Sequence, residues 1–265
     1  MDNLHRKLAP ISAAAWQELE DEVRSTFTLH LAGRRVVDLD GPHGSAFAAA
    51  GTGHLRPAGR PAPGVSARVH QVRAAMELRH PFTLSREAID SVERGSGDSD
   101  WQPAKDAARA MALTEDRIVF EGWVEAGIEG LRAGSSAEPL PLPADVTEYP
   151  DAVSRALTTL RLADVDGPYA LLLGAEAYTA VNETSDHGYP VRQHIARVLD
   201  GPIIWAPALE GGCVLSTRGG DFTLHLGQDL SIGYLSHDAE TVSLYLQESV
   251  TFSLLSPEAS VPLAG

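Results

Sequence analysis

Apolar side chains at Trp16, Leu19, Val23, Phe27 and Leu31 recur every three or four residues, the spacing of one helix face. Glu18, Glu20, Asp21, Glu22 and Arg24 take the opposite face. A helix over 12–32 is predicted, with Ser12 as its N-cap and Gly33 as its stop. A second stripe runs through Ala104, Ala107, Ala108, Met111, Ile118, Val119, Gly122 and Trp123. It predicts the longest helix over 100–131, capped by Asp100 and with Pro103 in the first turn. Glu115 and Asp116 interrupt that stripe, and the pattern offers no account of the break.

Between these helices the pattern disappears. Residues 41–64 are punctuated by Gly41-Pro42, Gly44, Gly51, Gly53, Pro57, Gly59, Pro61, Pro63 and Gly64 in Ala-rich sequence. Such a segment has no core of its own. It is either a mobile loop or an arm ordered against a neighbouring subunit, with 65–78 as its return strand.

Beyond a Ser-, Pro- and Glu-containing connection at 134–150 the pattern turns α/β. Helices are predicted over 151–160, 175–183 and 191–199, and strands over 169–173, 203–205 and 213–216. A polar loop spans 184–190. Phe222, Leu224 and Leu226 then alternate with Thr223 and His225, the period of a half-buried strand. Val242, Leu244, Leu246, Val250, Phe252 and Leu254 continue that alternation, with Glu248 out of place among them.

The chain has 265 residues, 43% of them hydrophobic, enough for one large domain or two lobes with real cores. A net charge of −15 argues against a nucleic-acid binder, which needs clustered Lys and Arg. Only Lys7 and Lys105 are lysines, so nearly every cation is Arg. Cys213 stands alone in an apolar strand, which excludes an intrachain disulfide and points to a buried, inert thiol. Residues 1–7 contain no apolar signal core, and no apolar run approaches membrane length. A cytoplasmic protein without membrane contact is expected.

Candidate chemistry is sparse. There is no nucleophile elbow, phosphate loop, dinucleotide fingerprint or zinc-protease motif. Gly51-Thr52-Gly53 starts like a dinucleotide loop, but Arg56 stands where the third Gly belongs. His80, His187, His194, His225 and His237 show no metal spacing, so no metal or cofactor is expected. Ser185-Asp186-His187 holds triad residue types, but neighbours in one loop rarely reach triad geometry.

Several short segments carry a resemblance. They are Leu8-Ala9-Pro10, Gly33-Arg34-Arg35-Val36-Val37-Asp38, Gly41-Pro42, Pro81-Phe82-Thr83-Leu84, Val92-Glu93-Arg94-Gly95 and Asp166-Gly167-Pro168-Tyr169. The stretch from Thr217-Arg218-Gly219-Gly220-Asp221-Phe222 to Leu226-Gly227-Gln228-Asp229-Leu230-Ser231-Ile232-Gly233-Tyr234 completes them. In this order, from residue 4 to about residue 260, they resemble the encapsulin shell proteins, or linocin-like family, and look closest to actinobacterial-type members.

That resemblance implies an α+β fold like that of tailed-phage major capsid proteins, with a peripheral lobe, an axial lobe and an extended β arm. It divides the chain into 1–40 (helix and strand of the peripheral lobe), 41–78 (arm), 79–139 (peripheral lobe with spine helix), 140–216 (axial lobe) and 217–265 (return to the peripheral lobe). It further implies a non-enzymatic subunit of a closed icosahedral shell of about sixty identical chains. The enclosed cargo enzyme would be a dye-decolorising peroxidase or a ferritin-like protein, captured through its C-terminal peptide. By the same resemblance the peptide would bind Phe27, His30, Leu31, Arg34, Asp38, Asp229, Ile232 and Tyr234. Arg34, Asp38 and Asp229 would fix its register. Thr184, Ser185, Asp186, His187, Gly188 and Tyr189 would line a five-fold pore, where a ring of Asp and His filters small ions and responds to pH. Some relatives stack a flavin on a Trp beside the start of the peripheral helix, where this chain has Glu87, so no flavin is expected. A hydrolase or protease, and a DNA-packaging capsid protein, stand as alternatives.

Overall fold

The computed structural model describes residues 3–265, so the first two residues of the 1–40 segment lie outside the described residues. The six α-helices are α1 (Ala13–His30), α2 (Arg86–Glu93), α3 (Gln102–Glu121), α4 (Tyr149–Leu162), α5 (Ala175–Glu183) and α6 (Val191–Leu199).

Helix α1 starts as its sequence predicts: Ser12 Oγ accepts from Ala15 N at 3.2 Å. It stops at His30, where Leu31 turns extended. Its inner face, with Leu19, Val23 and Phe27, is buried against α3 and a sheet. Trp16 is only half-buried, and the Arg6 guanidinium lies 4.2 Å over its ring. Helix α3 is shorter than the 100–131 expected. It ends at Glu121 because Gly122 takes φ 79°, and a Cβ there would strike the Ile128 carbonyl. The chain then folds into a small ribbon, Gly122–Trp123 against Ile128–Glu129. At its other end Asp100 Oδ1 accepts from Gln102 N at 3.0 Å.

Two sheets organise the molecule. In the first, Thr241–Leu254 is a long spine strand. Met76–Ser85 pairs along one edge, while Ser231–His237 and Phe222–Leu226 pair end to end along the other; Asp38–Asp40 adds a parallel edge strand to Phe222–Leu226. Helices α1, α2 and α3 pack here around Phe82, Leu84, Ile232, Leu244 and Leu246. The second sheet has the order Ile203–Trp205, Tyr169–Leu173, Gly212–Ser216, Ser260–Ala264, Leu140–Pro141. Tyr169–Leu173 is buried along its whole length, as a strand covered on both faces should be. The chain's tail therefore does not stay in the first sheet: Ser260–Ala264 crosses to pair with Gly212–Ser216.

Ala49–Pro57 and Arg68–Ala74 pair with each other alone, as an antiparallel ribbon that is exposed almost throughout. The expected 65–78 return strand is two strands, because Met76 already begins the strand that joins the first sheet. The 184–190 segment also holds more order than a polar loop: Ser185–Asp186 pairs with Tyr189–Pro190, and His187 and Gly188 both take positive φ. That is the backbone of a tight two-residue hairpin.

A groove above a buried ion cluster as the candidate functional site

An open cavity of about 440 Å³ lies between α1 and the start of the Ser231–His237 strand. Val23 and Phe27 of α1 and Leu31 just past its end make its floor, and Ile232 faces them from the sheet. The N-terminal segment closes one side, held there by Tyr234 N donating to the Leu4 carbonyl at 2.8 Å and by an Arg6–Glu20 ion pair at 2.5 Å. Arg34 and Arg35, in the single 3-10 turn Gly33–Arg35 after α1, bound the other end together with Asp229.

The misfits in the two apolar patterns explain how that turn is held. Asp116 of α3 is fully buried and accepts from the amides of Ala32 and Gly33, both at 2.8 Å. Gly33 permits this approach, since a Cβ there would sit 3.0 Å from Asp116 Oδ1. Beside it, Arg34 grips fully buried Glu115 through two bonds, Nε to Oε1 at 2.8 Å and Nη2 to Oε2 at 2.5 Å. The same Nη2 reaches Asp229 Oδ1 at 2.9 Å and Glu248 Oε2 at 3.5 Å. Three carboxylates thus converge on one guanidinium.

Burial opposes the Arg34 charge, but Glu115 and Asp229 more than offset it and raise its pKa. Glu248 is the uncompensated member. Its oxygens are buried without a hydrogen-bond partner, and desolvation, with the Glu115 charge adding to it, pushes its carboxyl well above the ordinary range. Desolvation likewise raises Asp116 to about 7, against the pull of its two amide bonds.

Of the residues expected to bind a peptide, Phe27, Leu31, Arg34, Asp229 and Ile232 line this one cavity. His30, Asp38 and Tyr234 do not. His30 Nδ1 meets the Thr26 carbonyl at 2.8 Å and its ring lies 5.6 Å from that of Trp205. Asp38 accepts from Gly220 N at 2.6 Å, where it pins a turn. Tyr234 bonds His237 Nδ1 at 2.6 Å. The pattern did not single out Arg24, Thr28 or Arg35 as groove residues, although Arg24 and Thr28 sit one helical turn apart on α1. Leu4 was out of reach, since its neighbour at Tyr234 lies far along the chain.

Of the residues expected at a pore, Thr184 starts the hairpin segment and His187 tops it, with its side chain 97% exposed and its Nε2 3.7 Å from Asp186 Oδ1. Tyr189 turns back instead, packed between His194 at 4.6 Å and the Arg197 guanidinium at 4.8 Å. At the flavin position, Glu87 in the first turn of α2 is bonded to Arg94.

One arrangement elsewhere has the order of a catalytic triad. His225 Nδ1 meets Asp40 Oδ2 at 2.7 Å and its Nε2 meets Ser253 Oγ at 3.0 Å. Ser253, however, is buried and paired opposite Thr223 near the end of its strand, where no turn offers it to a substrate beside free N–H donors. Among the described residues no group of His, Cys, Asp and Glu could hold a metal ion, and no helix is long and apolar enough to cross a membrane.

Two sheets, a long helix and an exposed ribbon make up a capsid-type fold. The fold matches a virus-like particle from Pyrococcus furiosus with a TM-score of 0.67 over 93% of this chain and 98% of that one, at 15% identity. It matches the capsid of Myoviridae phage XM1 with a TM-score of 0.54 over 91% of each chain, at 11% identity. Residues 1–251 match the linocin-type family described as "Encapsulating protein for peroxidase". The chain belongs to that family. It is 61% identical over the full length of both chains to the type 1 encapsulin shell protein of Rhodococcus erythropolis.

Proposed function

We propose that this chain is the structural subunit of a closed protein shell and that its groove captures the C-terminal peptide of an enclosed enzyme. The observation that carries the shell reading is the Ala49–Pro57/Arg68–Ala74 ribbon, which has no core beneath it in the single chain. A ribbon of that kind gains burial only against another subunit. The full-length likeness to a shell protein agrees with this. About sixty copies would close with icosahedral symmetry.

The groove suits an extended peptide. Buried Val23, Phe27, Leu31 and Ile232 offer an apolar floor, and Arg34, locked by Glu115, offers a fixed polar end. The cargo class is a peroxidase, the partner in the family description, with a ferritin-like protein as the second candidate. The shell itself carries no catalysis in this reading and works within the cytoplasm. The Thr184–Tyr189 hairpin would gather at a five-fold opening, with the exposed His187 at its rim.

The test is co-production of the chain with a fluorescent protein that bears the C-terminal segment of the peroxidase. Wild-type particles are expected to retain the fluorescence. Ile232→Asp, which puts a charge into the floor, is expected to give particles without it. Equal loading by both would show that the groove is not the capture site.

A further inference from the structure

Acidic residues outnumber basic ones over the whole chain, 36 to 21, yet the groove lining reverses that balance. It carries Arg6, Arg24, Arg34 and Arg35 against Glu20 and Asp229. Both acids are already engaged, Glu20 by Arg6 at 2.5 Å and Asp229 by Arg34 at 2.9 Å. Arg34 is further occupied by Glu115. Arg24 and Arg35 remain exposed, and among the described residues neither has an ion-pair partner. The Arg35 charge acts on Asp116, which is buried and committed to two backbone amides.

We propose that the groove takes a peptide carrying an acidic side chain next to its aliphatic residues, and that Arg24 and Arg35 are the groups that select it. This rests on the reading of the groove as the cargo-peptide site. Arg24 and Thr28 lie one turn apart on α1, and Arg35 lies in the 3-10 turn beyond its end, so both arginines line the cavity whose floor holds Phe27 and Leu31. A guanidinium fork beside an apolar floor matches a carboxylate with an aliphatic neighbour.

The carboxylate belongs to a side chain and not to a chain terminus. Capture of a terminal carboxylate uses a nest of free backbone N–H groups. Around Arg35 four of those groups are spent, Ala32 N and Gly33 N on Asp116, Arg35 N on the Ala32 carbonyl and Val36 N on that of Gly33, so no nest of free N–H groups is left. Recognition is left to the two side chains.

The experiment uses the full-length chain co-produced with a fluorescent protein that ends in randomised decapeptides of Leu, Ile, Val, Gly, Ser, Asp, Asn and Lys. Particles are purified, and the enclosed tails are read by mass spectrometry. Exposed ion pairs of this kind favour Asp over Asn by about two- to fivefold per arginine, so wild-type particles should enrich Asp by that factor over the input. Arg24→Gln/Arg35→Gln should abolish the enrichment and still enclose aliphatic tails, whereas Arg24→Lys/Arg35→Lys should keep part of it. An input-like Asp:Asn ratio in wild-type particles, or enrichment of Lys, overturns the proposal and leaves the groove reading intact. Enclosure that ignores aliphatic content and survives Ile232→Asp overturns the groove reading, and this proposal with it.

Discussion

Replacing Glu248 with Gln should stabilise the protein, and more so as pH rises. Glu248 is fully buried, and as a carboxylate neither of its oxygens meets a hydrogen-bond donor, so only its protonated form can bond Glu115. The nearest cation, Arg34 Nη2 at 3.5 Å, is shared with Glu115 and Asp229. Desolvation, with the Glu115 charge adding to it, raises the Glu248 pKa in the folded state. The folded protein therefore holds a proton that the unfolded chain releases near pH 4.5. The sign follows: stability from this group is complete below that pH and falls as pH rises toward the folded-state pKa. Gln keeps the shape, removes the titration and adds N–H donors facing Glu115. Relieving an unsatisfied buried polar group is worth about 1–3 kcal/mol. At about 2–4 °C per kcal/mol for a chain of this size, the melting temperature at pH 8 should rise by several degrees. At pH 5 the gain should be smaller. Asp116, raised to about 7, also lowers stability as pH rises from about 4 to 7, but it is present in both proteins and cancels in the difference. Melts at pH 5 and pH 8, at one protein concentration, read the two gains. If Glu248→Gln destabilises at pH 8, Glu248 is an ionised partner of Arg34 and the reasoning fails.

Deleting residues 48–72, which removes most of the exposed ribbon, should leave small oligomers or aggregate when sized by light scattering; intact particles would separate the ribbon from assembly. Arg34→Leu should cost about 3–5 kcal/mol, because it leaves Glu115 buried without its cation, and chemical denaturation reads the loss. Trp101→Phe removes the 2.8 Å bond from Nε1 to Glu18 that ties the start of α3 to α1, and should cost about 1–3 kcal/mol in the same measurement.

Periodic elements were legible in the sequence because each is defined by its own neighbours. The α1 stripe ended in the groove floor, and Ser12 capped as its residue type suggests. The misfits were legible as misfits but not as a site. Glu115, Asp116 and Glu248 each broke an apolar pattern, and their common partners at 32–34 lie more than 80 positions away. Only the fold brings them together. Three residues expected by resemblance to meet the peptide are bonded elsewhere in the single chain: His30 to its own helix, Asp38 to Gly220 and Tyr234 to His237. The end of α3 was overshot because Gly122 looked like one more small residue on the stripe. Its positive φ depends on the close approach of Ile128, which periodicity does not contain.

The central claim is that this chain builds a closed shell, and the mass of the purified particle tests it most directly. About sixty copies of a 28.2 kDa chain give a particle of about 1.7 MDa, to be read by mass photometry after nuclease treatment. The account predicts a single narrow species near that mass without nucleic-acid absorbance. A monomer or small oligomer at micromolar concentration, or a particle that needs nucleic acid to hold together, would contradict it.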